Sequence, residues 1–208
     1  MSTKITVDFL VIGSGAAGVC AALYAASEGK AVMLCEKAAK IGGTTALSNA
    51  MIWVPCSDQA AQAGIDDSLE NARTYLRNEL GNYYDDAKIN TYLERGPEAV
   101  RAIEENSEIK FVLAGAPDYH SSQEGGVDKG RALSPVPYDG RKLGKEFNLI
   151  GDPIRVVLGG MMIASSEIKH FLNPFKSTTA MTHVLRRVGR FAIDRLKFSR
   201  GTELSGGN

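Results

Sequence analysis

Apolar residues at the start of the chain follow a pattern that predicts a strand, a helix and a second strand. Residues 5–12 are rich in β-branched side chains and predict a buried strand. Residues 16–27 are mostly small and precede Gly29, which has the position usual just past a helix end, so they predict a helix. Residues 31–36 predict a second apolar strand. A strand, a helix and a parallel strand within about thirty residues make a βαβ unit, whose crossover we expect to be right-handed.

The pattern further along the chain predicts amphipathic helices separated by loops. Residues 37–55 carry Gly, Thr, Ser and Asn and predict a loop. Residues 114–160 predict loops and small strands, because glycine, proline and aspartate punctuate short apolar runs. The periodicity predicts a strand over 109–113 and helices over 67–80, 86–106 (interrupted near Gly96-Pro97), 165–172 and 178–197.

The helix predicted over 178–197 has apolar side chains near one face and basic side chains opposite. This arrangement predicts that the basic face is a solvated surface and not a binding patch. The segment 201–208 that follows shows neither a polar tail nor a final strand. The apolar residues of the helix are Met181, Val184, Leu185, Val188, Ile193 and Leu196.

The composition excludes several classes of partner and site. Lys plus Arg number 24 and Asp plus Glu also number 24, so no net positive charge favours nucleic acid or an anionic membrane surface. Cys20, Cys35 and Cys56 form no C-x-x-C pair, which predicts that they are small buried apolar residues in a reducing compartment. The three histidines lie far apart without ligand spacing, so no metal site is predicted.

The nearly uncharged run 9–26 resembles a signal sequence or a membrane span in its apolarity alone. Glycines interrupt the run, and Asp8 precedes it where a signal sequence would have basic residues. A buried strand that leads into a helix explains the same apolarity. We therefore expect a cytoplasmic protein without a membrane span.

A glycine-rich turn with the spacing G-x-G-x-x-G joins the first predicted strand to the first predicted helix. Gly13 permits the tight turn, Gly15 lets the backbone approach a pyrophosphate, and Gly18 lets the helix pack closely on the strands. The pyrophosphate is expected at the amino end of the helix, where free N–H groups and the helix dipole favour negative charge. The residues of the motif are Gly13, Ser14, Gly15, Ala16, Ala17 and Gly18.

An acidic residue, Glu36, ends the second predicted strand about twenty residues after the turn, as in dinucleotide-binding folds. Its carboxylate is expected to accept hydrogen bonds from the adenosine ribose hydroxyls. An acid in this place disfavours a 2′-phosphate and argues against NADP. The alternative is a nucleotide-free βαβ core that uses glycine for packing only.

The loop after Glu36 favours FAD over NAD. A simple NAD domain would be expected to proceed straight to its next helix, whereas this chain has a second glycine pair followed by hydroxyl side chains. The glycines permit another close approach of the backbone, and the hydroxyl oxygens are expected near phosphate or flavin. An ordinary polar turn is the alternative. The residues expected at the cofactor are Lys37, Gly42, Gly43, Thr44, Thr45, Ala46, Ser48 and Asn49.

Taken together, these segments resemble the fumarate reductase and succinate dehydrogenase flavoprotein superfamily. Within that superfamily the chain is most similar to the 3-ketosteroid dehydrogenases and their unassigned relatives. The superfamily resemblance rests on residues 13–18, Glu36-Lys37, residues 42–48 and Trp53-Val54-Pro55. The narrower resemblance rests on Pro117-Asp118-Tyr119, residues 138–144 and residues 158–162, and residues 201–204 resemble the family's return to the FAD domain.

The resemblance implies an α/β fold, with a Rossmann-like FAD-binding domain and the start of an inserted α+β substrate domain, incomplete in this chain. It implies the amino-terminal part of the FAD-binding domain over 1–130 and part of the inserted substrate domain over 131–200. It also implies a truncated return to the FAD domain over 201–208. The loop near the flavin lacks the histidine by which some members attach FAD, so FAD is expected to be non-covalent.

Steroid-acting members of the family remove two hydrogens next to a ketone, one as a proton and one as hydride to flavin N5. Tyr119 matches a family tyrosine that supports the catalytic base through hydrogen bonding. A phenol with an unperturbed pKa of about 10 needs such help near neutrality. The alternative for Tyr119 is a partly buried aromatic residue whose hydroxyl is satisfied by backbone.

Three departures from the family pattern bear on the site. Asn49 stands where steroid-acting members commonly have glycine, so the loop is expected to lie differently against the flavin. His120 follows Tyr119 where another aromatic residue is often found, and we interpret it as a surface or loop residue. The family's principal base and its ketone-polarising residues come from segments after residue 208.

The sequence therefore predicts the amino-terminal fragment of an FAD-dependent dehydrogenase that acts next to a ketone in a steroid-like substrate. The electron acceptor is unknown. One alternative is a fumarate reductase-type or other enone reductase flavoprotein, and another is a truncated FAD-binding fragment without catalytic activity. Because a half-built sheet exposes an edge and apolar surface, we expect the chain to aggregate or dimerise.

Overall fold

The computed structural model describes residues 4–151 and 159–206, which group into two compact units. The first unit comprises Met1–Ala50 and Pro137–Asn208, and the second comprises Met51–Val136. Here the first unit is called the turn unit, because it contains the glycine-rich turn, and the second is called the tyrosine unit, because it contains Tyr119.

Some sequence predictions lie outside the described residues. They concern residues 152–158 in the predicted loops, Leu158 in the family-like segment 158–162, and residues 207–208 in the tail. The two units are defined by contacts between residues, whereas the predicted domain limits near 130 and 200 come from the family resemblance. The units therefore do not test those limits, which stay a prediction.

The turn unit begins with a βαβ arrangement. Strand β1 (Phe9–Ile12) leads into helix α1 (Ala16–Ser27), which returns to strand β2 (Val32–Cys35). Strands β1 and β2 are parallel, with Phe9 opposite Val32 and Ile12 opposite Cys35. The helix predicted over 16–27 is confirmed with the same bounds, and the predicted parallel strand pair is confirmed with shorter strands.

The prediction that the first strand is buried is wrong. Phe9, Leu10 and Ile12 are exposed, Ile12 to 83% of its surface, and helix α1 contains no fully buried residue. Within the described residues, β1 pairs with β2 alone, and the sheet they form has two strands. A strand with one neighbour keeps a free edge, and the apolar side chains on it stay in contact with water.

The remainder of the turn unit forms a second small sheet covered by helices. Residues 201–208 were predicted to lack a strand, but Glu203-Leu204 pairs antiparallel with Tyr138-Asp139. The core beneath this sheet consists of Phe147, Ile150 and Leu204, with Ile41, Tyr138 and Leu143 packed against it. The elements are β6 (Tyr138–Asp139), a 3-10 helix (Gly140–Leu149), α5 (Ile168–Leu172), α6 (Thr178–Phe198) and β7 (Glu203–Leu204).

Helix α6 packs with the face that the sequence predicted to be solvated. Arg187 is 5% exposed and Asp194 is 3% exposed, whereas Leu185 and Leu196 on the apolar face are exposed. The prediction that the basic face is a solvated surface is therefore wrong at Arg187, whereas Arg186 is exposed as predicted. Periodicity alone could not show this, because the acidic partners of the arginines lie on other elements.

Acidic side chains from two segments draw Arg187 inward. Its Nε lies 2.9 Å from Glu167 Oε1, and its Nη1 lies 2.5 Å from Glu203 Oε2. Arg190 Nη1 lies 3.0 Å from the same oxygen of Glu203. Burial raises the pKa of Glu203, while the two arginines act in the opposite direction. This cluster joins α6 to β7 through charged groups.

The tyrosine unit contains a three-stranded antiparallel sheet with strand order β3-β5-β4. Its core is formed by Val54, Val100 and Leu133, with partly buried apolar residues packed against them. The unit consists of β3 (Ile52–Trp53), α2 (Asp58–Gln62), α3 (Leu69–Leu80), α4 (Asp86–Asn106), β4 (Phe111–Leu113) and β5 (Ala132–Pro135).

Several sequence predictions for the tyrosine unit need correction. The region 37–55, predicted as a loop, contains the 3-10 turn Thr45–Leu47 in the turn unit and strand β3 in the tyrosine unit. Helix α2 was not predicted. The predicted interruption near Gly96-Pro97 is wrong, since α4 continues through Pro97. Buried Leu93 and Val100 on either side of the proline anchor the helix, so packing offsets the backbone hydrogen bond that proline removes.

The other helix predictions hold to within a few residues. The helices predicted over 67–80 and 86–106 are observed as α3 and α4, and the helix predicted over 178–197 is α6. Ser68 caps α3, because its hydroxyl oxygen accepts the Asn71 N–H at 3.1 Å. No helix in the described ranges has both the length and the apolar character that a membrane crossing requires.

Replacing Arg187 should destabilise the turn unit far more than replacing its neighbour Arg186. Arg187→Ala removes a partner of the buried Glu167 and of the largely buried Glu203, and it should lower the free energy of unfolding by about 3–5 kcal/mol. Arg186 is exposed on the same helix, so Arg186→Ala should change the free energy of unfolding by no more than about 0.5 kcal/mol. Urea unfolding followed by circular dichroism measures both. Equal losses would contradict the buried arrangement.

Candidate functional site

The turn between β1 and α1 is closed by direct backbone contacts. Gly13 has φ +97°, a conformation that favours glycine, and its N–H donates to the Cys35 carbonyl at 2.7 Å. A Cβ at Gly18 would lie 1.9 Å from the Gly13 carbonyl oxygen. The tight turn and the close helix packing that the sequence predicted are therefore both present at these glycines.

The amino end of α1 is open toward its surroundings. Gly15 is the N-cap residue and supplies no side-chain cap, and the first turn of the helix contains no acidic residue. A Cβ added at Gly15 would meet no atom within 4 Å, and Ala16 and Ala17 are exposed. The Ala16 N–H donates to Thr45 Oγ1, but the helix end has no charged cap and has open space beside it, which suits a phosphate because the helix dipole faces that space.

Ser14 joins this turn to two other segments. Its side chain is buried, and its hydroxyl donates to Glu36 Oε2 at 2.6 Å while its backbone N–H donates to the same oxygen at 2.9 Å. Its Oγ also accepts the Gly42 N–H at 2.9 Å. The first turn, the end of β2 and the second glycine loop therefore meet at one serine.

The Glu36 carboxylate is held ionised by hydrogen bonds. The Ala38 N–H donates to Oε1 at 2.9 Å, and Ser14 donates twice to Oε2. The Ala38 backbone bond and then the two Ser14 bonds lower the pKa of Glu36 from 4.5 to about 2. A carboxylate has about four acceptor positions, so Oε1 keeps capacity for a further donor such as a ribose hydroxyl.

The second glycine loop lies directly against the first turn. A Cβ at Gly43 would be 3.5 Å from the Gly15 Cα, and Thr45 Oγ1 accepts the Ala16 N–H at 3.1 Å. Gly42 packs so closely on Ala46 that a Cβ would lie 2.5 Å from the Ala46 Cβ. The structure thus brings together the residues of both predicted motifs, although they are separated by more than twenty positions.

The remaining loop residues lie around this meeting point with different exposures. Lys37 and Thr44 are exposed and Asn49 is partly buried. Ser48 Oγ donates to the Thr45 carbonyl at 2.8 Å and accepts the Ala50 N–H at 2.9 Å. The hydroxyls of Thr45 and Ser48 therefore already organise the loop, and their contact with phosphate or flavin stays a prediction.

Tyr119 belongs to the tyrosine unit and not to the turn unit. Its side chain is 98% exposed, so the alternative of a partly buried aromatic residue is wrong. His120, interpreted from the sequence as a surface or loop residue, is exposed and contacts Glu79 Oε1 through Nδ1 at 2.6 Å.

Sequence reasoning missed the charged residues that surround the Tyr119 segment. Asp118, the middle residue of Pro117-Asp118-Tyr119, is buried and paired with the fully buried Arg131. The signal available in the sequence was Arg131 directly before an apolar strand, because an arginine buried in such a place needs acidic partners. Which carboxylates serve it could not be predicted, because Asp67 is more than sixty positions away.

Within residues 4–151 and 159–206, no cluster of three or more His, Cys, Asp or Glu side chains is arranged to hold a metal ion. The donor set at the turn instead fits a dinucleotide. It combines an open helix end, two glycine loops in contact and a carboxylate with a lowered pKa.

Comparison with known proteins shows that the chain belongs to the FAD binding domain family. A family model described as FAD binding domain matches residues 8–195. The chain is 36% identical over 161 residues to a 3-oxosteroid 1-dehydrogenase of Mycolicibacterium smegmatis, covering 77% of this chain and 28% of that protein. It is 35% identical over 208 residues to a 4-oxocyclohex-2-ene-1-carboxylate 5-dehydrogenase of Sinomonas cyclohexanicum, covering 98% of this chain and 35% of that protein.

A solved structure resembles the chain along almost its whole length. The crystal structure of 3-ketosteroid delta1-dehydrogenase from Sterolibacterium denitrificans, in complex with 1,4-androstadiene-3,17-dione, superposes with a TM-score of 0.86 at 29% identity. The match covers 99% of this chain and 37% of that one. The chain therefore spans between about a quarter and two fifths of the length of the relatives it matches.

Two glycine substitutions should separate packing from cofactor binding. Gly18→Ala should lower the free energy of unfolding by about 1–3 kcal/mol, because the clash with Gly13 outweighs the better helix propensity of alanine. Gly15→Ala has open space and should cost no more than about 1 kcal/mol, while it should weaken FAD binding at least about tenfold. Urea unfolding and a visible FAD titration measure the two effects. Equal losses of stability in the two variants would contradict the packing role assigned to Gly18.

The Glu36 carboxylate should contribute stability that disappears at low pH. Its folded pKa of about 2 lies below its ordinary value of 4.5, so the contribution is complete above about pH 4.5 and is lost as the pH falls toward about 2. The melting temperature of the wild type should therefore exceed that of Glu36→Gln at pH 7, and the difference should shrink across this interval. Melting curves at several pH values measure it, and a difference independent of pH would contradict the hydrogen-bonded state of Glu36.

Proposed function

Because the chain belongs to the FAD-binding domain family, we propose that it is the cofactor-binding part of a dehydrogenase acting next to a ketone in a steroid-like substrate. FAD is the cofactor of the family. The observation that carries the proposal is the contact of two glycine loops at the open end of α1 beside Glu36. The substrate class rests on relatives that are named 3-oxosteroid 1-dehydrogenases.

We assign FAD-binding roles by position in the turn unit. The backbone of Gly15, Ala16 and Ala17 would receive the pyrophosphate, and Glu36 would accept the ribose hydroxyls of the adenosine half. The loop residues would approach the phosphates or the flavin. Non-covalent binding is supported by the absence of histidine between residues 37 and 55. The loop set is Lys37, Gly42, Gly43, Thr44, Thr45, Ala46, Ser48 and Asn49.

When bound, FAD supplies a hydride acceptor at flavin N5. The protein's task is then to bind and orient substrate and to move a proton. We propose that the Tyr119 hydroxyl assists the base that removes the proton next to the ketone, because a phenol can donate and accept hydrogen bonds. Its 98% exposure leaves that hydroxyl accessible to such a group.

We further propose a Rossmann-like FAD-binding domain that begins over 1–130 and an inserted substrate domain that begins over 131–200, with the return to the FAD domain starting at 201. The parallel β1–α1–β2 arrangement supports the first of these. A cytoplasmic location is supported by the free thiols of Cys20, Cys35 and Cys56. The prediction that these cysteines are buried is wrong, since Cys35 is exposed and the other two are only partly buried.

A smaller cyclic ketone is a second candidate for the substrate class. The relative from Sinomonas cyclohexanicum covers 98% of this chain, and its name describes dehydrogenation of an oxo-cyclohexene carboxylate. A steroid and this compound both present a ring with an oxo group, but only the second carries a carboxylate. Comparing kcat/KM for a 3-ketosteroid and for 4-oxocyclohex-2-ene-1-carboxylate, with the longest product of the gene, distinguishes the two.

The 208-residue chain alone should bind FAD without turning over a steroid. It carries both glycine loops but spans only 28% of the length of the mycobacterial relative. Mixed with FAD, it should shift the visible flavin spectrum, whereas a Gly15→Ala, Glu36→Gln double variant should not. With a 3-ketosteroid and a reducible dye it should show no reduction above the enzyme-free rate. Dye reduction by the chain would contradict this prediction, and an unshifted FAD spectrum would contradict the cofactor assignment.

A further inference from the structure

The segment that carries Tyr119 is a closed loop, defined here as residues 118–127 and called the tyrosine loop. At its neck, the Asp118 N–H donates to the Val127 carbonyl at 3.0 Å. The Val127 N–H donates in return to Asp118 Oδ2 at 3.2 Å. Further backbone hydrogen bonds cross the loop inside this neck. Tyr119 is therefore the first residue beyond a hydrogen-bonded closure.

A buried arginine contacts the tyrosine loop near both of its ends. Arg131 is fully buried, and its Nη1 donates to Asp118 Oδ2 at 2.8 Å and to the Gly125 carbonyl at 2.9 Å. The other oxygen of Asp118 accepts the Trp53 Nε1–H at 2.7 Å. The carboxylate next to Tyr119 is thus fixed by Trp53 of β3, by Arg131 just before β5, and by the loop itself.

Arg131 has its own anchor, which does not involve the tyrosine loop. Its Nε and Nη2 donate to the two oxygens of Asp67 at 2.8 and 2.7 Å, a bidentate pair that sets the plane of the guanidinium. The guanidinium also lies over the rings of Trp53 and Tyr75, at 5.5 and 5.7 Å from their centroids. The arginine should therefore keep its place if Asp118 is neutralised.

A second anchor holds the other side of Tyr119. Glu79 Oε1 on α3 lies 2.6 Å from His120 Nδ1, and the Gln123 Nε2–H donates to the same oxygen at 2.6 Å. Both neighbours of Tyr119, Asp118 and His120, are therefore held by side chains from outside the loop. Tyr119 itself projects almost completely into solvent.

We propose that the buried Asp118–Arg131 ion pair is a positioning device that holds the tyrosine loop in one conformation and presents the Tyr119 phenol. Burying two carboxylates with one guanidinium is costly to desolvate and adds little net stability, whereas it can select one conformation. A loop ordered during folding loses less freedom when the tyrosine on it meets a reacting group. This inference rests on the proposed function, in which Tyr119 assists the base.

Asp118→Asn tests the proposal in the chain itself. It removes the charge at constant side-chain size and leaves Arg131 paired with Asp67, so the fold should be retained. With 3-fluorotyrosine at position 119, the wild type should give one narrow ¹⁹F resonance and Asp118→Asn a broadened or split one. Amide hydrogen exchange in residues 119–126 should accelerate about ten- to a hundredfold, as expected for the loss of a charged hydrogen bond.

Matched controls separate local positioning from general loosening. Asp86→Asn removes an aspartate that makes an exposed pair with Arg77, and it should leave the resonance at Tyr119 unchanged. A 3-fluorotyrosine at Tyr83, which is exposed in the same unit, should not respond to Asp118→Asn. An unchanged Tyr119 resonance with wild-type exchange overturns the proposal, and so does an equal response at Tyr83.

A second variant keeps the test decisive if Asp118→Asn does not fold. Arg131→Lys retains the positive charge but cannot form the fork to Asp67 and Asp118, so it should broaden the Tyr119 resonance in the same direction. A folded Arg131→Lys protein with a wild-type resonance also overturns the proposal.

Turnover measurements address the link to catalysis separately. In the longest product of the gene, loaded with FAD, Asp118→Asn should lower kcat about ten- to a hundredfold with little change in KM. In a Tyr119→Phe background it should have no further effect, because it acts through Tyr119. Equal effects in both backgrounds contradict positioning through Tyr119. If the wild type turns over no ketone, the proposed function fails, while the NMR result still decides whether Asp118 holds the loop.

Discussion

The hydrogen bonds between Ser14 and Glu36 connect the segments from which the cofactor site is built. One buried serine donates twice to the carboxylate and accepts from the backbone of the second glycine loop. A Cβ at Gly18 or at Gly42 would overlap atoms within its own segment, so these glycines keep each turn tight, and Gly43 lies against Gly15 where the two loops meet. Removal of the serine hydroxyl would leave the approach sterically possible but would take away the polar link that makes it specific.

Buried arginines organise both units in a similar way. Arg187 pairs with two acidic residues in the turn unit, and Arg131 pairs with two in the tyrosine unit. Such clusters gain little net stability, because desolvation opposes the Coulomb attraction. Their effect is on conformation. The acidic partners of Arg187 hold that residue of α6 inward, and Arg131 closes a loop beside an exposed tyrosine.

Several large apolar side chains are exposed to solvent. They occur on β1, where Ile12 is 83% exposed, and on α6, where Leu196 is 88% exposed. The chain also spans only 28–37% of the length of the relatives and the solved structure described above. The exposed strand edge and apolar side chains agree with the expectation that the isolated chain associates with itself.

Local elements and turn chemistry could be predicted from the residues alone. The bounds of α1 and α4 and the tasks of Gly13 and Gly18 follow from periodicity and from the sterics of glycine, which act over a few residues. The folded chain was needed to show that Arg187 of α6 is buried, that β1 is exposed, and that Arg131 pairs with Asp67 and Asp118. Those outcomes depend on charges and surfaces contributed by distant segments, and the free energy of burying a charge depends on partners that no local pattern specifies.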